Sequence, residues 1–275
     1  MSVANFIPEL WSAQLLTNFR ARNVFANLVN RNYEGEIRNA GDTVRITTPS
    51  AITVGPYSGT VSYQTPASTQ QSLLIDQQRY WAFELDDVDQ AQANVNLMQA
   101  YMTEAAVALA GDVDKALAGL YTEAGDNSLT INLTATSPRQ DLYPKLVDAG
   151  RILDENDVPR EGRWVVMTPK GYAHVLKEDE FIHASPAGDG VLRTANVGQI
   201  AGFTVYVSNH LTESSTNVYQ YLYGTNAAIT FAEQVTETEA MRREASFKDA
   251  VRGLLVYGRQ VVRPAALGTI AATEA

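Results

Sequence analysis

Hydrophobic and polar residues alternate over residues 71–86, as they do in a β-strand that buries one face. One face carries Leu73, Ile75, Trp81, Phe83 and Leu85, and the other carries Ser72, Asp76, Gln78 and Glu84. At ~3.3 Å per residue such a strand reaches ~50 Å, whereas a usual strand has about 5–6 residues. With a second strand predicted over residues 43–48, the pattern predicts a drawn-out antiparallel hairpin over residues 42–86 that projects from the body and is stabilised by another subunit.

A second pattern repeats every three or four residues and predicts one very long helix over residues 94–124. Its apolar stripe consists of Met98, Met102, Ala105, Leu109, Val113, Ala116, Leu120 and Ala124. At ~1.5 Å per residue this helix is a rod of ~45 Å. We expect it to form the spine of the molecule.

The N-terminal residues 1–32 are amphipathic. Pro8 and Glu9 suit the first turn of a helix, and apolar residues follow at roughly helical spacing, namely Leu15, Phe19, Val24, Leu28 and Val29. The segment precedes the hairpin and has no obvious partner nearby in the sequence. Packing into the protein's own core and docking onto a neighbouring subunit are therefore two equal alternatives.

Shorter mixed elements follow between residues 125 and 235, and they indicate an α+β module. A helix is predicted over residues 137–155, with Leu142, Leu146, Ala149 and Leu153 facing inward. A buried strand over 164–167, a short helix near Tyr172, and strands over 204–208, 218–223 and 228–231 come next. From residue 237 the chain is extended again as far as Pro264, and the small, polar tail after Leu267 is expected to fray.

Composition narrows the class of protein. A hydrophobic fraction of 45% and a charged fraction of 19% are typical of a folded protein. The lack of cysteine excludes disulfides and thiol chemistry, and it fits a cytosolic origin. A formal charge of −10 disfavours a dedicated nucleic-acid binder. The N-terminal arm is the exception, because it contains three arginines, Arg20, Arg22 and Arg31, and only one acid, Glu9. These arginines either contact a polyanion or are simply solvated.

The sequence shows no motif for catalysis, phosphate binding or metal binding. The histidines, His174, His183 and His210, lack the i, i+4 partner of a helical metal site. Asp86, Asp87 and Asp89 lack the glycine turn and distal glutamate of a calcium loop, and we interpret them as helix caps. The thirteen tyrosines are typical of core and interface packing. We therefore predict a protein that is not an enzyme and binds no metal or cofactor.

Six segments in a fixed order carry a resemblance to a known family. They are YEGEI at 33–37, GDTV at 41–44, IDQQR at 75–79 followed by Trp81 and Phe83, the helical residues 105–114, GQIAGFTVYVSN at 198–209, and YGRQVVRP at 257–264. With this order the chain resembles the major capsid proteins of tailed bacteriophages that have the Hong Kong 97-type fold. It is most similar to the coat-protein branch typified by the Salmonella podovirus.

The resemblance implies an α+β fold with four parts. These are an N-terminal arm (1–32), an extended loop formed by the β-hairpin (33–86), a peripheral domain that includes the spine helix (87–124 and 236–275), and an axial domain (125–235). It also implies self-assembly as hexamers and pentamers into an icosahedral virion shell around double-stranded DNA. Such a protein is made in the cytoplasm of the bacterial host.

The implied partners are a scaffolding protein, a portal protein, in some members a decoration protein, and non-specific contact with packaged DNA. We expect no scaffolding region fused before the arm, so the scaffold is expected to be a separate chain, and we expect no inserted telokin-like domain of the kind that some coat proteins carry. Two alternatives remain from other classes of protein. They are an encapsulin-like cargo shell, which shares the fold, and an unrelated enzyme or carbohydrate-binding module.

Apolar burial is expected to dominate the contacts between copies, because exposed ion pairs contribute only ~0–1 kcal/mol each and apolar contact contributes ~25 cal/mol per Å². The predicted inter-subunit contacts are Trp11, Phe19, Leu28, Tyr57, Trp81 and Phe83. The predicted DNA-facing cations are Arg20, Arg22 and Arg31.

Some relatives join a lysine of the extended loop to an asparagine of a neighbour by a covalent bond. This chain has no lysine before Lys115, so we predict no cross-link of that type. Boiled particles are expected to run as one band near the subunit mass of 30.0 kDa on a denaturing gel. A ladder of multimers would contradict this prediction.

Overall fold

The computed structural model describes residues 18–19, 23–33, 43–49, 68–86, 97–134, 141–178, 198–242 and 248–274, and six single positions between 52 and 65. The helices are α1 (Leu97–Ala118), α2 (Leu142–Glu155) and α3 (Pro169–Val175). The strands are β1 (Thr43–Pro49), β2 (Ser68–Leu74), β3 (Gln77–Asp86), β4 (Ser128–Asn132), β5 (Arg163–Met167), β6 (Gln199–Ile200), β7 (Phe203–Val207), β8 (Glu213–Ser215), β9 (Val218–Thr225), β10 (Ile229–Arg242), β11 (Lys248–Val261) and β12 (Leu267–Thr273).

These strands form three sheets, and with the helices they give a mixed α+β fold. β1 and β2 pair as an antiparallel hairpin, and β10, β11 and β3 form an antiparallel three-stranded sheet in that order. The remaining seven strands form a mixed sheet in the order β4-β12-β9-β5-β7-β6, with β8 paired to β9.

The inner face of the three-stranded sheet packs against α1. Phe83 of β3 stacks on Trp81 at 5.9 Å and lies 5.5 Å from Tyr101 of α1, measured between ring centroids. The hydroxyl of Tyr257 donates to Asp112 of α1 at 3.3 Å. Gly253 is paired with Trp81, and a Cβ at this glycine would lie 2.6 Å from the indole. The close approach of indole and strand therefore requires a glycine here.

The hairpin covers part of the outer face of the same sheet. A small cluster of buried side chains joins the two sheets, consisting of Ile46, Leu73, Ile75, Ala232 and Val256. Gly258 of β11 allows this contact, since a Cβ there would lie 2.5 Å from the carbonyl oxygen of Leu74. The base of the hairpin is thus anchored on the chain's own body, which corrects the expectation that another subunit alone stabilises it.

The segment over residues 71–86 forms two strands in different sheets, so the prediction of one continuous strand is wrong. The chain leaves one sheet at Ile75 and Asp76 and enters the next, so β2 pairs with β1 while β3 pairs with β11. The predicted alternation survives, because Leu73, Ile75 and Trp81 are all buried. However, Leu73 and Ile75 lie in the cluster on the outer face of the three-stranded sheet, whereas Trp81 lies in the main core on its inner face.

The long helix is confirmed. α1 has 22 described residues and continues into a 3-10 turn, Gly119–Glu123, while the predicted start at residue 94 lies outside the described residues. Most of the predicted stripe is buried in the core, as shown by Met102, Leu109, Val113, Leu120 and Ala124. Ala106, Ala110 and Leu117 are buried as well, because the helix is covered on more than one side. The predicted caps Asp87 and Asp89 lie outside the described residues.

The described part of the N-terminal arm belongs to the chain's own core. Asp114 of α1 accepts hydrogen bonds from the backbone N–H groups of Val24 and Phe25, each at 3.0 Å. Farther along, the N–H of Asn30 donates to Ile229 at 3.0 Å, and its carbonyl oxygen accepts from Phe231 at 2.9 Å. Of the two alternatives for this segment, the described residues 23–33 show packing within one chain.

The seven-stranded sheet carries α2 and α3. The predicted inward residues of α2 are confirmed, although the helix begins at Leu142, after an extended Asp141, and not at residue 137. Leu142, Leu146, Ala149 and Leu153 of α2 are fully buried, and every residue of β5 is buried. The first turn of α2 is capped from a distance, since the Glu178 carboxylate accepts from the N–H groups of Leu142 and Tyr143. Such a carboxylate satisfies donors that a helix N-terminus leaves unpaired.

The prediction that the tail after Leu267 frays is wrong. β12 lies inside the seven-stranded sheet, parallel to β4 and antiparallel to β9. Glu274 then accepts hydrogen bonds from the hydroxyls of Thr168 and Tyr221. The small residues that look like a loose tail are there because neighbouring side chains approach the strand closely. β12 thus joins strands of residues 125–235, and the boundary predicted at 235/236 falls inside β10.

We predict that Gly268→Ala destabilises the protein by about 1–3 kcal/mol, the usual effect of overpacking a core. A Cβ at Gly268 would fall within the ring of Tyr223. Gly119→Ala is the matched control, because nothing lies within 4 Å of the corresponding position. Urea denaturation of both variants checks this, and equal stabilities would contradict the placement of β12.

We also predict that Asp114 makes stability increase towards acid pH. Burial raises the pKa of the Asp114 carboxyl, although the N–H groups of Val24 and Phe25 act in the opposite direction. A carboxyl with a higher pKa in the folded state binds more protons when folded. Its contribution to the free energy of unfolding is therefore present below the unfolded pKa of ~3.9 and is lost as the pH rises through the folded pKa.

The measurement compares wild type with Asp114→Asn in unassembled subunits between about pH 7 and about pH 4. The stability of wild type relative to the variant is expected to rise as the pH falls, with a maximum slope of about 1.4 kcal/mol per pH unit for one proton. A difference that stays constant or falls towards acid would refute the prediction.

Candidate assembly surface

Beyond the base of the hairpin, the outer face of the three-stranded sheet is exposed. Successive side chains of a strand point to opposite faces, so burial of Trp81 and Phe83 turns Tyr80 and Ala82 outward. Tyr80 is 82% exposed and Met241 is 42% exposed. Leu254 on β11 is half-buried on the same face. This surface, defined by Tyr80, Ala82, Met241, Arg252 and Leu254, is called the outer sheet face below.

A shallow groove of about 420 Å³ runs across the outer sheet face. Its lining residues come from all three strands and are Tyr80, Ala82, Glu239, Arg252, Gly253 and Leu254. The two charges in the groove compensate each other, because Arg252 Nε donates to Glu239 Oε2 at 2.8 Å across the strand pair. The groove is therefore mainly apolar and close to neutral, which suits contact with an uncharged partner segment.

β3 forms one edge of this sheet. Among the described residues it pairs only with β11, so no described strand pairs with its other side next to Tyr80 and Ala82. Edge strands of this kind are templates for pairing with another chain. An exposed apolar face beside an open edge is typical of an interaction site.

The tip of the hairpin is uncharged and apolar, like the groove on the outer sheet face. No charged residue occurs between Arg45 and Asp76. Four described apolar side chains in this stretch are highly exposed, Ile52 at 76%, Val54 at 93%, Tyr57 at 78% and Tyr63 at 94%. The described residues thus expose two apolar surfaces, the outer sheet face and the side chains at the hairpin tip.

A family model for phage capsid proteins matches residues 70–270 of the chain. The chain belongs to this phage capsid protein family. It is a major capsid protein, a structural component of the bacteriophage virion, and the family is one of structural proteins and not of enzymes.

Solved structures agree with this membership. The structure from Mycobacterium phage Che8 is 30% identical in sequence, with a TM-score of 0.71 and 90% of each chain covered. The capsid of cyanophage P-SCSP1u is 17% identical, with a TM-score of 0.73 over 92% of this chain and 89% of that chain. A virus-like particle from Pyrococcus furiosus is 14% identical, with a TM-score of 0.57 over 94% of this chain and 96% of that chain. The last two show the fold alone. No curated protein matches the chain.

Three of the contacts predicted from the sequence lie inside the capsid protein itself. Phe19, Leu28 and Trp81 are at most 8% exposed and belong to the main core. Their side chains offer almost no surface to a neighbouring copy, so the structure does not support a direct inter-subunit role for them. Sequence periodicity identified them as apolar positions, but it cannot distinguish a core from an interface.

The other three predicted contacts have different outcomes. Phe83 is half-buried between Trp81 and Tyr101. Tyr57 is exposed near the tip, and for it an inter-subunit contact stays a prediction. Trp11 lies outside the described residues.

Arg31, one of the predicted DNA-facing cations, is directed into the capsid protein. Its guanidinium pairs with the carboxylate of Glu233 and lies 5.7 Å from the centroid of the Phe231 ring. Only 20% of the Arg31 side chain is exposed. The ion pair ties the arm to β10, which is a structural role. Arg20 and Arg22 lie outside the described residues.

The outer sheet face was missed in the sequence. Its signal was Tyr80, a large aromatic residue in register with Gln78 and Glu84 on the polar side of an alternating strand. Leu254 and Met241 gave no comparable signal, because the pairing of β10 with β11 was not predicted.

The described residues contain no cluster of three or more metal-ligating side chains. His174 lies 3.4 Å from Glu178, and the ring of His210 lies against Gly111 of α1. His183 lies outside the described residues. In the described part of the chain, no helix is long and apolar enough to span a membrane.

Proposed function

We propose that the capsid protein assembles as hexamers and pentamers into the icosahedral shell of a tailed bacteriophage, with the hairpin tip of one copy seated on the outer sheet face of the next. The observation that carries this proposal is the pair of exposed apolar surfaces on one chain. Neither surface is covered by the described part of the chain, and a closed shell of identical copies covers both at once.

The chemistry of the two surfaces favours their contact. The tip carries no charge, and the groove holds only the compensated pair Arg252 and Glu239. Copies with a formal charge of −10 repel each other, but at physiological salt the screening length is ~8 Å, so only charges near the contact matter. An uncharged tip therefore adds no like-charge repulsion at this contact.

The energetics permit assembly through many contacts of moderate size. Apolar burial at ~25 cal/mol per Å² contributes ~12 kcal/mol for every ~500 Å². Association costs ~4–15 kcal/mol. One contact of this size is marginal alone, whereas each copy in a closed shell both donates a tip and receives one.

The finer features follow from the family resemblance and are part of the proposal. They are the Hong Kong 97-type arrangement with its arm, extended loop, peripheral domain and axial domain, and the similarity to the Salmonella-podovirus branch. They also include a scaffolding protein, a portal protein, a decoration protein, and production in the cytoplasm of the bacterial host. The agreement over 90% of the chain with the Mycobacterium phage structure supports the arrangement of the fold, whereas the partners and the site of production rest on the family resemblance alone.

An encapsulin-like cargo shell is the second candidate. The match to the virus-like particle from Pyrococcus furiosus shows only the fold, which both candidates share. The family model favours the phage shell, since it matches the greater part of the chain. The contents of native particles distinguish the two candidates, because a phage shell holds a genome and a cargo shell holds an enzyme.

We predict that Tyr80→Ser and Tyr57→Ser each raise the concentration needed for assembly about tenfold, which corresponds to a loss of about 1.4 kcal/mol per contact. Both side chains are exposed in the single chain, so thermal unfolding of unassembled subunits should stay unchanged. Sedimentation of subunits over a concentration series gives the assembly threshold. Tyr80→Phe and Tyr57→Phe are the matched controls, since they retain the apolar ring.

The double variant tests whether the two residues belong to one contact. If they do, its effect should be smaller than the sum of the single effects, because residues in contact are not additive. Assembly of the serine variants at the wild-type threshold, or strictly additive effects, would contradict the docking of tip on sheet.

A further inference from the structure

Cations gather on the inner side of the three-stranded sheet, where β11 and α1 lie side by side. Arg79 of β3 donates from Nε to Asp112 Oδ2 at 2.7 Å, and Tyr257 donates to the same oxygen at 3.3 Å. Arg259 lies two residues farther along β11 and therefore on the same face of the strand as Tyr257. The Arg79 and Asp112 side chains are 45% and 41% exposed, so this group lies at the surface.

The course of α1 along β11 places Lys115 near Asp112 and Arg259. At one end of α1, Tyr101 contacts Phe83, which is paired with Val251 of β11. Farther along, Asp112 contacts Tyr257, so residue numbers on helix and strand rise together. From Tyr257 to Arg259 the strand advances ~6.6 Å, and from Asp112 to Lys115 the helix advances ~4.5 Å. Lys115 is exposed on α1, three residues from Asp112 and therefore on the same helix face.

This basic cluster of Arg79, Lys115 and Arg259 has more positive than negative charge. Among the described residues, Asp112 is the one acid that forms an ion pair within the cluster, and its partner is Arg79. Lys115 and Arg259 form no ion pair with any described residue. Most other described arginines have a carboxylate partner, namely Arg31, Arg151, Arg160, Arg163 and Arg252. Lys115 and Arg259 therefore keep their charges on neighbouring stretches of α1 and β11, in a chain with a formal charge of −10.

The basic cluster and the outer sheet face lie on opposite sides of the same sheet. Trp81 and Tyr257 pack against α1 on the inner side, whereas Tyr80 and Leu254 point outward. A hairpin tip seated on the outer sheet face therefore leaves the cluster uncovered. In a shell one subunit thick, the cluster then faces the side opposite to the docked tips.

We propose that Arg79, Lys115 and Arg259 form a phosphate-contact site for the packaged double-stranded DNA. The proposal rests on the proposed function, because it requires a shell that encloses DNA. Guanidinium groups donate to phosphate oxygens in a planar fork, and lysine contributes a point charge. Such contacts hold the backbone without reading the sequence, which is what a shell around a whole genome requires. This site takes the role that the sequence assigned to Arg31.

The test measures how DNA binding by unassembled full-length subunits depends on salt, with a duplex of about 30 base pairs as the probe. Each lost phosphate contact lowers the magnitude of the negative slope of log K against log salt by about 0.9 units. The double variant Lys115→Gln, Arg259→Gln should therefore lower this magnitude by about 2 units. The double variant Arg45→Gln, Lys170→Gln is the control, because it changes the net charge equally at exposed positions outside the cluster.

A slope reduced in magnitude in the cluster variant and unchanged in the control supports the proposal. An equal slope in wild type and cluster variant, or an equal loss in both double variants, would overturn it. Polyglutamate is the second probe, because an acidic segment of a protein is the other polyanion that fits three cations. Loss of polyglutamate binding without loss of DNA binding would overturn the proposal too. A failure of wild-type subunits to form shells counts against the proposed function instead, and sedimentation detects it separately.

Discussion

Helix α1 covers the inner face of strand β11, whereas the hairpin covers only part of its outer face. Its outward residue Val256 is buried under the base of the hairpin, whereas on the same face Leu254 is only half-buried and Arg252 is exposed. Apolar surface that stays exposed costs the folded chain ~25 cal/mol per Å² that burial would recover. The incomplete cover of this one sheet makes the single chain competent to fold and still in need of a partner. A capsid subunit requires both properties.

The rest of the chain is held to this sheet by buried polar contacts. Asp114 holds the arm to α1, and the ion pair of Arg31 and Glu233 holds it to β10. Two further carboxylates join distant segments in the seven-stranded sheet. Glu178 accepts a hydrogen bond at the start of α2, and Glu274 accepts one at the end of β12. A buried carboxylate that lost its donors would be strongly destabilising. These contacts therefore fix how segments distant in sequence are joined, while the apolar core provides most of the stabilisation.

The periodicity of apolar residues correctly predicted the helices and strands in which buried side chains recur at regular spacing. α2 shows its inward residues at helical spacing, and β5 is a short apolar run, so both were found. The break at Ile75 and Asp76 was missed, because the same alternation continues across it while the buried face changes from one cluster to another. β12 was missed for a different reason. Its residues are small because the Tyr223 ring lies directly against Gly268, and closeness of that kind is visible only in three dimensions.

The candidate surface was predicted less well than the fold, and the cause is physical. A buried aromatic residue and an interface aromatic residue obey the same pattern, so Trp81 and Phe19 looked like contacts between subunits. Tyr80 broke the pattern, yet only the pairing of β3, β11 and β10 shows that it shares a face with Leu254. The uncharged stretch that ends at Asp76 was visible in the sequence, but its complement on the sheet was not.

Hydroxyl-radical labelling of tyrosine side chains, compared between unassembled subunits and intact shells, tests the central claim most directly. The account predicts that Tyr80 and Tyr57, which are 82% and 78% exposed in the single chain, are labelled in subunits and strongly protected in shells. Tyr257 is buried in the single chain and should resist labelling in both states. Equal labelling of Tyr80 in subunits and shells would show that the outer sheet face stays uncovered, and it would contradict the account.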